Sequence, residues 1–203
     1  MNIYLIRHGE TEWNKEGRLQ GRTDIKLNQT GKTQMQCVAE VLEKLEEDMD
    51  LIISSPLLRA RESAEIIAKE LGYKIENILV EPLLIERSFG VGEGLREKER
   101  VQKYPGDNYS DMESYDDLIS RGLKAFNKIV NNSYDKQNVL VVAHGAILYA
   151  MLTAVTEGII DYGGRMVKFD QGSIYRIAYQ KKSIELSKYD EENRDFQLVY
   201  TNI

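Results

Sequence analysis

A chain of 203 residues with 42% hydrophobic and 30% charged side chains has the proportions of one globular domain with a sizeable core. A formal net charge of −6 excludes a broad nucleic-acid-binding surface, which needs clustered Lys and Arg, and the single cysteine, Cys37, excludes a disulfide framework and a multi-cysteine zinc site. The apolar run at residues 3–6 is too short for a signal or a membrane span, so a cytoplasmic protein with neither nucleic-acid nor membrane partners is expected.

That first run does not alternate and reads as a strand buried on both faces, ending at Arg7 and His8. Residues 15–29 are irregular, rich in charge and glycine. Met35, Val38, Ala39, Leu42 and Leu45 then recur at helical steps, with Cys37 inside the pattern as a core residue. A second buried strand at 51–53 leads to Ser55 and Pro56, which read as N-cap and first residue of a helix through Ala60, Ala64, Ile67, Ala68 and Leu71, closed by Gly72. Residues 78–80 form a third buried strand, and 87–113 are again irregular, with glycines, charge and Pro105. Irregular stretches of that length usually frame a site.

Ser114 and Asp117 form a capping box for a third helix through Leu118, Leu123, Phe126 and Val130. Residues 139–143 form a strand ending at His144, and 146–155 a helix apolar nearly all round, hence buried. The runs at 173–179 and 183–189 flank "QKK" and read as a hairpin or edge pair. The succession predicts a three-layer α/β/α sandwich with a mostly parallel central sheet, as a single domain over residues 1–203.

In open parallel sheets ligands bind beyond the carboxyl ends of the strands. Arg7 and His8 stand at one such end and His144 at another, while Arg59, in a first helical turn, leans back toward the same rim. A single His is most often a packed core residue. Here the only two in the chain both follow strands, with two Arg at equivalent points, and that favours a site. Paired guanidinium groups recognise a phosphate or carboxylate. Glu86 brings a carboxylate to the mouth of "GVGEG", either as a proton donor to a leaving oxygen or as half of a surface ion pair with Arg87. Those glycines do not join a strand to a helix as a dinucleotide fingerprint does. His8, His144 and Glu86 have the composition of a facial metal triad, but a fixed cation at Arg7 favours phosphate over a divalent ion, so neither metal nor cofactor is expected. Around the mouth, Lys15, Arg18, Arg22, Arg87 and Lys103 read either as a second anion site or as solvated charge balanced by Glu16, Asp24, Glu93 and Asp107. Tyr104 and Tyr109 either face a leaving group or anchor their loop.

The stretches "LIRHGETEWN", "SSPLLRARESAE", "ERSFGVGEG" and "VLVVAHGA", in this order, resemble the histidine phosphatase superfamily, also called phosphoglycerate-mutase-like, over residues 1 to about 155. The resemblance implies that His8 is the nucleophile that becomes a phosphohistidine and that Glu86 is the proton donor. It also implies that Arg7, Arg59 and His144 hold the phosphate, with Asn14, Gln20, Gly21 and Gly145 completing the binding set. It implies metal-independent hydrolysis of a small phosphorylated metabolite. Only 58 positions separate Glu86 from His144, fewer than in the mutases of the family, which carry a longer insert over the site. A short lid favours hydrolysis over retention of a bisphosphate intermediate, so a small bacterial-type phosphatase is expected; the alternatives are a cofactor-dependent phosphoglycerate mutase and a non-catalytic phosphate-binding module. Gly92 stands where many such phosphatases have Trp, and "DMES" (111–114) replaces "GGES", which weakens an assignment as α-ribazole phosphate phosphatase. Oligomeric state is not legible in the chain.

Overall fold

The structure is a computed structural model describing residues 1–106, 108–161, 166–180 and 183–202. Strands β1 (Asn2–Arg7), β2 (Leu51–Ser54), β3 (Leu79–Val80) and β4 (Asn138–Ala143) form its parallel part, and β5 (Ile174–Gln180), β6 (Ser183–Asp190) and β7 (Asp195–Thr201) extend it antiparallel. The order is β3-β2-β4-β1-β5-β6-β7, and two short helices, α1 (Glu12–Lys15) and α4 (Glu97–Lys103), interrupt the loops. In register Arg7 lies opposite Ala143, so β1 and β4 leave the sheet side by side and deliver His8 and His144 to one rim.

Alternate residues of each central strand serve opposite layers. Tyr4, Ile6, Ile52, Leu140 and Val142 pack with Met35, Val38 and Leu42 of α2 (Gln29–Lys44) and Ala60, Ala64 and Ile67 of α3 (Leu58–Glu70). Ile3, Leu5, Val139 and Val141 meet Leu118, Phe126 and Ile129 of α5 (Tyr115–Asn132) and Ile147 and Met151 of α6 (Gly145–Val155). Both faces are covered, which is why the strand sequences do not alternate. Each fully buried Leu or Ile contributes roughly 1.5–3 kcal/mol. Gly122 lets α5 and α6 approach closely, since a Cβ there would lie 2.8 Å from the Ala150 backbone.

Several expectations shift. Helix α3 starts at Leu58, two residues after Pro56, because the Ser55 hydroxyl is engaged with His144 and the Leu58 N–H is capped from outside by Asp24 at 2.7 Å. Cys37 is exposed, since the buried stripe of α2 runs through Met35, Val38, Ala39 and Leu42. Leu123 is also exposed; the inner face of α5 passes through Gly122, Ala125 and Phe126 instead. Leu79 and Val80 are 46% and 49% exposed, because β3 is an edge strand and not a buried one. The stretch 87–113 contains a 3-10 turn at Gly90–Gly92 and a short helix, Glu97–Lys103. The hairpin of β5 and β6 forms as expected, but β7 beyond it is the edge of the sheet. Asp107, Lys181 and Lys182 lie outside the described residues.

Candidate active site

His8 follows β1 directly, its N–H bonded to Ala143 O at 3.0 Å. Its Nδ1 lies 2.7 Å from Gly9 O, and its Nε2 lies 3.3 Å from Arg59 Nε. Carbonyl and guanidinium select one tautomer: Nδ1 carries the proton and donates, leaving the Nε2 lone pair beside Arg59. Arg59 is fully buried, and its remaining nitrogens donate to Gly21 O at 2.7 Å and Thr23 O at 2.9 Å. Gly21 has φ +55°, and a Cβ on it would collide with Glu93, whose carboxylate receives the N–H groups of Arg22 at 3.0 Å and Thr23 at 2.9 Å. Glu93 thereby holds the two carbonyls that aim Arg59.

His144 stands at the N-terminus of α6, its ring centroid 5.0 Å from that of His8. Its Nε2 lies 2.7 Å from Ser55 Oγ, while its buried Nδ1 has no hydrogen-bond partner. Ser55 Oγ also accepts the Leu57 N–H at 3.4 Å, and its contact with Nε2 is compatible with either neutral tautomer of His144. With Nδ1 protonated, an anion's oxygen would supply the acceptor that this buried nitrogen lacks. Ser55, read from sequence as a cap, instead partners His144.

Arg7 donates to Phe169 O at 2.7 Å. Thr11 Oγ lies 3.0 Å from Asn14 Oδ1 and 2.9 Å from Gln20 Oε1, which anchors both side chains against the pocket that they line. Glu86 does not pair with the Arg87 side chain. Its carboxylate accepts backbone N–H groups from Arg87 at 2.9 Å, Ile147 at 3.2 Å and Ala146 at 3.3 Å, seated on the N-terminus of α6. The Arg87 guanidinium turns away to Glu113 O at 3.0 Å and the ring of Tyr115.

These groups surround a cavity of about 260 Å³. Arg7, His8, Asn14, Gln20, Gly21, Arg59, Glu86 and Gly145 all line it, and His144 sits against His8 behind them. The structure therefore brings together every site residue selected from sequence. Sequence reasoning missed the wall of Leu19, Phe89, Tyr149 and Phe169, apolar and aromatic residues drawn from four separate segments. Of the five mouth cations only Arg18 lines the cavity, and it is committed to Glu16 at 2.6 Å and Gly94 O at 2.9 Å. Arg22 donates to Glu86 O at 3.1 Å and pairs with Glu113. Tyr104 and Tyr109 stack edge to face, and a Cβ on Gly92 would touch the Tyr109 ring at 2.9 Å, so Tyr109 anchors the loop in space that a larger residue 92 would need.

Burial first, then the charges of Arg59 and Arg7, holds the His8 pKa well below the usual imidazole range, against the opposing pull of Gly9 O. Burial, Arg59 and His8 do the same to His144. Burial brings Arg59 down to about 10, with Glu86 and Asp24 opposing. The unfolded chain thus binds protons at both His that the folded chain does not. Stability from this source is fully present above the ordinary imidazole value of 6.5 and is lost as the pH falls below it. The slope is up to about 1.4 kcal/mol per pH unit for each ring. Melting temperatures of the ligand-free protein should fall between about pH 6.5 and 5.5, less steeply after His144→Ala. A flat profile would show that neither ring resists protonation.

Among the described residues, no three His, Cys, Asp or Glu side chains gather as a metal site requires, and no helix is long and apolar enough to cross a membrane. Two neutral imidazoles and two guanidinium groups at the end of a parallel sheet are equipment for binding and attacking an oxyanion. The model of the histidine phosphatase superfamily (branch 1) matches residues 3–192, and the chain belongs to that superfamily. A Bacillus subtilis (strain 168) protein named uncharacterized phosphatase PhoE is 39% identical over 77% of this chain and 78% of its own length. A probable phosphoglycerate mutase GpmB of Photorhabdus laumondii is 34% identical over 89% of this chain and 86% of its own. Among solved structures, Bacillus stearothermophilus YhfR superposes with a TM-score of 0.79 at 28% identity, covering 90% of this chain and 93% of that one.

Proposed function

We propose that the protein hydrolyses small phosphomonoesters through a phosphohistidine on His8. The observation that carries this reading is the placement of His8, which lines the cavity with its Nδ1 tied to Gly9 O and its Nε2 beside Arg59 Nε. In the first step the Nε2 lone pair attacks phosphorus, the ester P–O bond breaks, and Glu86 in its acid form protonates the departing oxygen. In the second the Glu86 carboxylate takes a proton from water as the water oxygen attacks phosphorus. The P–N bond returns its electrons to His8, and Glu86 is again protonated. Arg7, Arg59, His144 and the side-chain amides of Asn14 and Gln20 hold the phosphoryl oxygens, with Gly21 and Gly145 giving the close approach. No metal ion takes part. One domain over residues 1–203 carries the activity on soluble cytoplasmic metabolites.

A mutase must hold a second phosphate while its intermediate reorients. The commitment of Arg18, Arg22 and Arg87 to protein acceptors leaves that anion poorly provided for, and the apolar wall suits a neutral leaving group instead. The cavity is smaller than the ~300–1,000 Å³ of pockets that enclose drug-sized ligands, which favours compact alcohols. Phosphate release should be measured with EDTA present, against alkyl and aryl monoesters and 3-phosphoglycerate. Alkyl and aryl esters are expected to lead 3-phosphoglycerate by about tenfold in kcat/KM. Conversion to 2-phosphoglycerate, stimulated by 2,3-bisphosphoglycerate and faster than hydrolysis, would establish a mutase instead. Loss of activity in EDTA, restored by a divalent ion, would overturn the metal-free step.

A further inference from the structure

We infer that Arg121, which does not line the cavity, is a positioning residue that fixes Glu86 for proton transfer. The inference rests on the reading of Glu86 as the acid. A guanidinium has five N–H donors, and five contacts are made here. Nε and NH2 form a fork on Glu113 at 2.8 and 2.7 Å, NH1 reaches Leu83 O at 2.7 Å and Ile85 O at 2.6 Å, and NH2 also reaches Glu86 O at 3.4 Å. The side chains of Arg121 and Glu113 are only 13% and 11% exposed, so the pair is little screened by water. Arg22 closes the network from the opposite loop, with Nε on Glu86 O at 3.1 Å and NH2 on Glu113 at 3.3 Å. Burial alone would raise the Glu113 pKa, but Arg121 and Arg22 hold it below the usual carboxyl range, so the anchor stays ionised.

The need for such an anchor follows from the backbone around Glu86. Residues 82–84 make a single 3-10 turn, and 85–89 belong to no strand, held to the facing loop by an isolated bridge of Phe89 with Met112 and by the Glu113 N–H on Ser88 O at 3.0 Å. The carboxylate reaches α6 only through bonds of 3.2 and 3.3 Å, which tolerate drift. Arg121 adjoins Gly122, where α5 approaches the α6 backbone too closely for a Cβ, and α6 begins at Gly145 beside His144. Carbonyls of residues 83, 85 and 86 are thereby tied to the same rigid helix pair that presents the phosphate-binding end of the site. A shift of about 1 Å in a proton donor costs on the order of 100-fold.

A misplaced acid hurts poor leaving groups most, because p-nitrophenolate departs as an anion while an alkoxide needs a proton as it leaves. The readout is therefore the ratio of kcat/KM for an alkyl phosphate to that for p-nitrophenyl phosphate, measured on one preparation so that the folded fraction cancels. Arg121→Lys keeps the charge but not the fork and bridges. It should lower that ratio by about tenfold or more, in the same direction as Glu86→Gln. Glu113→Gln should do so to a smaller extent, and it carries the comparison if Arg121→Lys does not fold. An equal fall on both substrates, or an unchanged ratio beside a lowered one in Glu86→Gln, overturns the role of Arg121 alone. An unchanged ratio in Glu86→Gln removes the acid assignment and this inference with it.

Discussion

Replacing His8 with Ala is expected to lower kcat/KM for phosphomonoester hydrolysis by at least ~10⁴-fold and to abolish the acid-labile phosphoenzyme formed in a brief reaction with substrate. The size follows from the mechanism. Arg7, Arg59 and His144 would still bind and polarise the phosphate, but the bond-forming lone pair would be gone, and water in its place is neither oriented by Gly9 nor held beside Arg59. Folding should survive. The substitution removes a buried imidazole that resists protonation, so the acid-side fall in melting temperature should become shallower even as activity vanishes. Turnover at the parental rate in His8→Ala would end the phosphohistidine reading. Retained phosphate binding without turnover would show that the remaining groups form the binding site alone.

Arg59→Met should cost about 10³-fold in kcat/KM, since a preorganised cation is lost from the oxygens on which charge develops. Its effect on stability should be far smaller, because two contributions oppose. Burial brings the folded pKa down to about 10, below the ordinary guanidinium range, so folding the cation at neutral pH costs a few kcal/mol that Met avoids. Against this, the carbonyls of Gly21 and Thr23 lose their donors, at about 1–3 kcal/mol each. The discriminating measurement is thermal stabilisation by inorganic phosphate or vanadate. The parent should gain several degrees at saturating anion, because the ligand offsets the clustered positive charge, and Arg59→Met should gain little. A variant stabilised as strongly as the parent would show that Arg59 does not hold the anion.

What the sequence by itself determined is the local and the topological. Unbroken apolar runs at β1, β2 and β4 specify strands covered on both faces, and the three- and four-residue steps of α2 and α3 specify the helices that cover one of them. Parallel strands share a carboxyl end, so the sequence places His8 and His144, 136 positions apart, on one rim of the sheet, while the pairing of β1 with β4 that brings them into contact is tertiary. The first-turn place of Arg59 aimed it at the same rim. Tertiary structure decided whatever depends on which distant groups become neighbours. The partner of Ser55 is His144 rather than its own helix end; Cys37 and Leu123 face outward because the buried stripes are narrower than the apolar pattern; Glu86 sits on α6 rather than on the Arg87 side chain. Of the cations of the mouth, Arg18 pairs with Glu16 and Gly94 O and Arg22 with Glu86 O and Glu113, partners that, apart from Glu16, come from loops distant in sequence. The physical reason is common to these cases. Periodicity records how a segment divides its residues between core and water, whereas a polar side chain takes the partner that folding brings within about 3 Å, and no local pattern encodes that choice.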